Sequence, residues 1–419
     1  MTATLISVPG GAERGRAGPV TGPADSLDAL LRRAATSLLA AVGGQARPDD
    51  RVRFTESPAA MRAYLEGLAA WRRGRLADAA ESFVRAIAED SGFAQALFRR
   101  YLAGDWGVPG GAPYTRLTWE RRARLSPQER TVLEAVLGSQ YPRIRLVEDR
   151  LADRQRAVNL LPDSPDALYF LGDWYYHWAA PVDPVNQLRL AKEYLERSAA
   201  VDSQATVLRH LIEIGVRTQD SALLRHVWPA YERTEDVGKW GGLWLVAASM
   251  GDQALLAALR RRPVDPGPYL FARWGLFSAT TANIPARLLD EMYERWSTAA
   301  GHQDAPAPVA VVWGGSLAMR GRPAAAERVW SGLEPEPAVQ ADALRVELAR
   351  AGEGTGLDAA SSVERLAAVR TGDSTTVATS ACLVALWRVQ HGDTAAVDPE
   401  RFRQPARRCS WAIELSRAA

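Results

Sequence analysis

From Asp25 onward, apolar side chains recur at intervals of three and four residues. The first run, Leu27, Leu30, Leu31, Ala34, Ala35, Leu38 and Leu39, shares one helical face, with Asp25 as candidate N-cap and Gly43-Gly44 as the stop. The same period returns in segments of roughly 11–17 residues separated by short breaks. Those breaks are Gly74, Ser91-Gly92, Pro162 to Pro165, Gly251-Asp252, Pro263 to Pro268, Gly321-Arg322-Pro323 and Gly392-Asp393. The pattern predicts an all-α chain of about sixteen to eighteen helices with no strand ladder. Gly104–Thr115, which holds Trp106, Pro109, Gly110, Gly111 and Pro113, is expected to be the main loop. Residues 1–25 differ. Met1–Val8 alternates briefly and Gly and Pro follow, which predicts a lone strand or extended arm. A single strand cannot bury itself, so it needs a partner in this chain or in a preceding domain.

An internal period lies on top of the helical one. In Met61–Ser91, Gly67, Ala70, Gly74, Ala79, Phe83 and Ala86 follow one another at steps of 3, 4, 5, 4 and 3. In Thr131–Pro162, Leu137, Gly138, Tyr141, Ala157 and Pro162 take matching places, with Arg150 and Arg154 where small and large apolar residues are expected. In Pro165–Ser203, Leu168, Leu171, Gly172 and Tyr175 match the first half, and Ala191, Leu195 and Ser203 the second, across an insertion around Ala180–Val185. These three units resemble the tetratricopeptide repeat, with Ser91 where that repeat commonly ends in proline. The resemblance implies a right-handed α-solenoid of stacked antiparallel helix pairs, in which small residues let two helices approach and a large one fills the gap.

Beyond 204 the signature fades into helix pairs of similar length: 204–217 with 221–233, 240–250 with 253–261, 269–279 with 285–298, and 308–319 with 323–333. Terminal helices are expected at 338–351, 356–369, 375–390 and 399–416. The implied organisation is an arm over 1–25, an N-terminal helix and repeats over 26–203, and degenerate repeats with capping helices over 204–419. The phrasing Gly22-Pro23-Ala24-Asp25-Ser26-Leu27 and then Ala63-Tyr64-Leu65-Glu66-Gly67 also looks like the C-terminal repeat arrays of some large bacterial signalling proteins. That likeness implies an alternative in which the chain is the sensor or effector portion of a protein whose kinase or DNA-binding domain lies elsewhere.

Composition removes several function classes. The 419 residues carry 51 Lys+Arg against 49 Asp+Glu, a net charge of +2, so no bulk field draws nucleic acid or an anionic membrane. Only Lys192 and Lys239 are lysines, and neither sits in a phosphate loop or a kinase strand, which excludes a Walker-type NTPase and a self-contained protein kinase. Cys382 and Cys409 are too few for a disulfide scaffold or a cysteine-built metal site. The longest uncharged runs fall short of about 18–20 apolar residues, so no membrane span is expected. Met1–Ala12 lacks a basic n-region, which makes cytoplasmic residence the expectation.

Candidate chemistry is sparse. The five histidines, His177, His210, His226, His302 and His391, never pair at helical i,i+4 spacing, and neither His-Glu-x-x-His nor Cys-x-x-Cys occurs; no metal and no cofactor is expected. Gly314-Gly315-Ser316 lacks the closing glycine of a nucleophile elbow and reads as a close-packing helix face. The runs Arg121-Arg122-Ala123-Arg124, Arg260-Arg261-Arg262 and Arg407-Arg408 are offset by neighbouring acids or separated by long neutral stretches, and two of them read as solvated helix C-termini. Fourteen tryptophans are mostly at inter-helix positions, and Tyr169, Trp174, Tyr175, Tyr176, His177 and Trp178 form a denser group. The repeat resemblance places the first helix of each unit along a concave groove. Carried over by position, it implies Tyr64, Leu68, Trp71 and Arg72, then Tyr169, Asp173, Tyr176 and His177, as groove residues. Aromatic and arginine side chains there suit a protein or peptide partner. Leu68 and Asp173 stand where polar clamps for a C-terminal carboxylate would be, which disfavours that ligand. The expected function is a non-catalytic scaffold that binds a partner protein; the oligomeric state is not encoded in these patterns.

Overall fold

The computed structural model describes residues 3–6, 13–17, 19–23, 27–42, 55–105, 111–143, 147–179, 185–236, 239–264, 284–299, 307–333, 335–350 and 356–369, with short pieces at 352 and within 380–392. The expected helices at 269–279 and 399–416 and both cysteines lie outside the described residues. Among the described residues, every element but one short hairpin is helical. In that hairpin β1 (Ala3–Ile6) pairs antiparallel with β2 (Glu13–Ala17), Ala3 opposite Ala17. The strand expected to stand alone thus has its partner within the chain. The partner strand, Glu-Arg-Gly-Arg-Ala, has no apolar alternation and gives no strand signal of its own. Helix α1 (Leu27–Val42) packs on both strands, and Val20, Leu30 and Ala34 form a small apolar cluster beside it.

The chain divides into two compact units, one of Met1–Arg145 with Ala152–Ala167, the other of Leu146–Leu151 with Leu168–Ala419. The boundary read from the sequence at 203/204 lies inside the second unit. The first unit is built on α2 (Pro58–Arg73) and α3 (Leu76–Glu89), followed by α4 (Ala94–Asp105), α5 (Ala112–Glu120) and α6 (Pro127–Leu137). Ser57 Oγ accepts the Ala60 N–H at 3.1 Å, Pro58 fills the first helical position, and Gly74 closes α2 at φ 93°. Only Gly74 and Arg75 separate α2 from α3, and the two helices fold back on each other along their lengths. Gly67 makes the close approach possible. A Cβ there would stand 2.5 Å from Phe83 Cε1, so the Phe83 ring lies on bare α2 backbone. Tyr64 and Trp71, on the same face of α2, meet that ring at centroid distances of 5.9 and 6.5 Å.

Two sequence expectations change in this unit. The loop predicted over 104–115 is shorter, because α4 runs to Asp105 and α5 begins at Ala112, while the Gly104 and Gly111 backbones meet so closely that a Cβ on either would overlap the other. The repeat unit predicted at Thr131–Pro162 is not built like the first. Gly138, assigned mid-helix by the spacing, ends α6 at φ 91°. Pro142, four residues on, cannot continue a helix, and the buried Asp153 carboxylate of α7 (Val147–Leu160) accepts the Ser139 N–H at 3.1 Å and fixes the turn. Helix α6 itself starts on a capping box: Ser126 Oγ accepts the Glu129 N–H and Glu129 Oε2 accepts the Ser126 N–H.

The second unit continues as successive helix pairs. Helix α8 (Pro165–Trp178), from Leu168 on, packs on α9 (Gln187–Val201), with Gly172 against Leu195 and the Tyr175 and Tyr194 rings stacked. Helix α10 (Ala205–Thr218) packs on α9 and on α11 (Ser221–Glu232), with Gly215 against Leu224. Then follow α12 (Lys239–Met250), α13 (Gln253–Arg261), α14 (Ala286–Ala299), α15 (Ala307–Met319), α16 (Pro323–Trp330), α17 (Pro335–Arg350) and α18 (Ala359–Ala368). In the α15–α16 pair, Gly314 lies under the Trp330 indole, whose Nε1–H donates to the Val311 carbonyl at 3.0 Å. Gly314, Ala326 and Trp330 repeat the separations of Gly67, Ala79 and Phe83, and Ala79, Phe83 and Ala326 are fully buried. No described helix is long and apolar enough to cross a membrane.

Candidate functional site

The expected groove residues of α2 are mostly interior. Tyr64 is fully buried, with its ring 5.0 Å from that of Phe93, and Leu68 and Trp71 are buried beside it; Arg72 alone is exposed, in the last turn. The Tyr64 hydroxyl is enclosed near a partly buried ion pair. There Arg99 of α4 binds Asp166 through two hydrogen bonds, Nη1 to Oδ1 at 3.3 Å and Nη2 to Oδ2 at 2.7 Å. Burial pushes the Tyr64 hydroxyl well above the usual tyrosine range, against the lowering effect of the Arg99 charge. These side chains hold helices together.

The second unit brings the other candidates into contact with a residue that sequence reasoning missed. Asp173 and His177 are four residues apart on α8 and so share a face. Across from them stands His210 of α10, 4% exposed over its side chain. His210 Nε2 lies 3.3 Å from His177 Nε2 and 3.3 Å from Asp173 Oδ1, and His177 Nε2 lies 3.5 Å from Asp173 Oδ1. Two further contacts orient the group. The Tyr169 hydroxyl donates to Asp173 Oδ1 at 3.0 Å, and His210 Nδ1 lies 2.8 Å from the Thr206 carbonyl oxygen. Tyr169 and Tyr176 are buried, and both rings stand edge-on to His210, at 5.9 and 5.3 Å. Arg217 lies over the Tyr176 ring at 5.4 Å. Asp173 and His177 therefore supply the partly exposed polar atoms, and the tyrosines form the wall behind them.

At the neighbouring position of α10, on another side of the helix, a separate polar group is sealed. Arg209 Nη1 is 3.2 Å from both oxygens of Asp236, and the Tyr231 hydroxyl donates to Asp236 Oδ2 at 2.8 Å, all three buried. Burial raises the Asp236 carboxyl despite the neighbouring guanidinium. The arginine runs are also occupied: Arg260 binds Glu291 at 2.6 and 2.7 Å, Arg262 binds Glu232 at 2.8 Å, and Arg122 lies 4.3 Å over the Trp119 ring; Arg407-Arg408 lie outside the described residues. An open recess of about 400 Å³ beside α15 and α16 is lined in part by Asp290, Trp313 and Arg322, and Asp290 there is bound by Arg320 and Arg322. Among the described residues, the Asp173, His177 and His210 group is the one set of histidine and acidic side chains whose ligand atoms converge. The sequence matches no protein-family model and no curated protein.

Proposed function

We propose that the chain is a non-catalytic, tetratricopeptide-type scaffold whose stacked helix pairs form a right-handed solenoid and present first-helix faces to a peptide or partner protein. The observation that carries this reading is the recurrent pair geometry. A glycine of one helix seats a large side chain of the next at Gly67–Phe83, Gly172–Leu195, Gly215–Leu224 and Gly314–Trp330. Such pairs cannot bury their apolar faces alone and do so by stacking, which leaves long rigid surfaces suited to recognition. On α2 the surface residue of that face is Arg72, with Tyr64, Leu68 and Trp71 as its buried support. On α8 the surface residues are Asp173 and His177, supported by Tyr169 and Tyr176. A photo-crosslinking residue placed at Arg72 should capture a discrete partner in native cells, whereas the same residue at the exposed Arg85 of α3 should capture none. Equal labelling from both positions, or from neither, would remove the first-helix face as the binding surface.

A further inference from the structure

We propose that Asp173, His177 and His210 form a zinc site with three protein ligands. The three ligand atoms make a triangle with edges of 3.3, 3.3 and 3.5 Å. A tetrahedral ion with bonds of about 2.0–2.1 Å holds its ligands about 3.3–3.4 Å apart, so the triangle has the size of one face of a zinc tetrahedron. Six-coordinate ions with similar bonds need adjacent ligands closer together, near 3 Å. The spacing suits zinc, and so does the donor set, imidazole and carboxylate being ordinary zinc ligands.

The surroundings prepare the same atoms. His210 Nδ1 faces the Thr206 carbonyl, which can only accept a hydrogen bond, so Nδ1 carries the proton and Nε2 presents its lone pair to the triangle. Tyr169 donates to the very carboxylate oxygen that points inward, which fixes its direction. Ligands from α8 and α10 are locked by helix packing on both sides, with buried Tyr169 and Tyr176 against the His210 ring. Access remains, because the Asp173 side chain is 26% and the His177 side chain 15% exposed. On binding, zinc takes the place of the hydrogen between the two Nε2 atoms; the His177 proton moves by way of solvent to its own Nδ1, so both imidazoles ligate as neutral rings. Three protein ligands leave the fourth tetrahedral position for water or an incoming donor group. The ion would join α8 to α10 across the whole of α9.

The test is a titration of the untagged, chelator-treated full chain with Zn²⁺ alone, followed by calorimetry, and with Co²⁺ alone, followed by visible absorption. One zinc per chain is expected, with the intense visible bands of four-coordinate cobalt. Asp173→Asn and His177→Ala should each weaken zinc binding by about a hundredfold or more, since even changes around the ligands cost about 10–100-fold. Both positions are partly exposed, and unchanged far-ultraviolet circular dichroism shows that the variants fold. His226→Ala and His391→Ala, at exposed positions away from the triangle, should bind as the parent does. The proposal is overturned if the parent binds no zinc at micromolar concentration, if the Asp173 and His177 variants bind as tightly as the parent, or if cobalt gives the pale spectrum of six-coordination.

Discussion

Glu347 shows how one buried carboxylate sets a pH dependence. It sits on α17 with 1% of its surface exposed, and both oxygens are 3.1 Å from Arg350 Nη1. Burial dominates and raises its pKa from 4.5 to about 7, with Arg350 pulling the other way. The unfolded chain releases this proton near 4.5, the folded chain only near 7, so between those values the folded state holds more protons. Stability from this residue is therefore greatest below pH 4.5, falls as pH rises toward 7, and is flat above, a total change of about 3 kcal/mol at most. Glu347→Gln keeps the shape and removes the titration. Its melting temperature should exceed the parent's above pH 7 and converge on it near pH 4.5. Parallel melting curves across that range would mean that Arg350 holds the carboxylate charged.

At the scale of elements, the helix pair is the unit, and its tolerance is decided where backbone meets ring. Replacing Gly67 by alanine should help α2 by about 1 kcal/mol of helix propensity. The new Cβ would lie 2.5, 2.7 and 3.1 Å from three atoms of the Phe83 ring, an overpacking that costs about 1–3 kcal/mol. Gly67→Ala should thus lower stability in urea unfolding, while Gly67→Ala combined with Phe83→Leu should be less destabilised than the sum of the two single changes. Additive losses would show that the ring moves aside freely. Much of this pairing was legible, because Gly67, Ala79 and Phe83 repeat a spacing that local sequence displays. Gly314, Ala326 and Trp330 carry the same spacing and are harder to see, since the residues around them lack the other small positions of the first unit. Gly138 misleads for a physical reason: glycine serves equally for close helix contact and for the positive φ that ends a helix, and only the Pro142 that follows separates the two. The Asp173, His177 and His210 group was half legible. Asp173 and His177 lie at i,i+4 on one helix, but His210 arrives from 33 residues further on, and period and spacing encode faces of a helix rather than which faces meet.

At the scale of the whole molecule, near-neutral charge conceals a large number of opposed charges, 51 basic against 49 acidic, nearly all the basic ones arginine. Arginine stays charged at any pH a protein survives, so only one side of the balance can be titrated away. Many exposed pairs, such as Arg85–Glu66 and Arg189–Glu193, contribute little at neutral pH, where water and salt already screen them. Acid changes the situation, because protonation of the carboxylates leaves the arginines unopposed. Mutual repulsion then acts against every compact helix pair at once. Salt should consequently have opposite importance at the two ends of the pH scale. Near pH 7, raising ionic strength from about 0.01 to about 0.1 M should leave the melting temperature almost unchanged. Near pH 3, the same addition shortens the screening length from about 30 to about 10 Å and should recover helical circular dichroism and raise the melting temperature. An acid-unfolded chain indifferent to salt would remove the summed field of the arginines as the cause of acid unfolding.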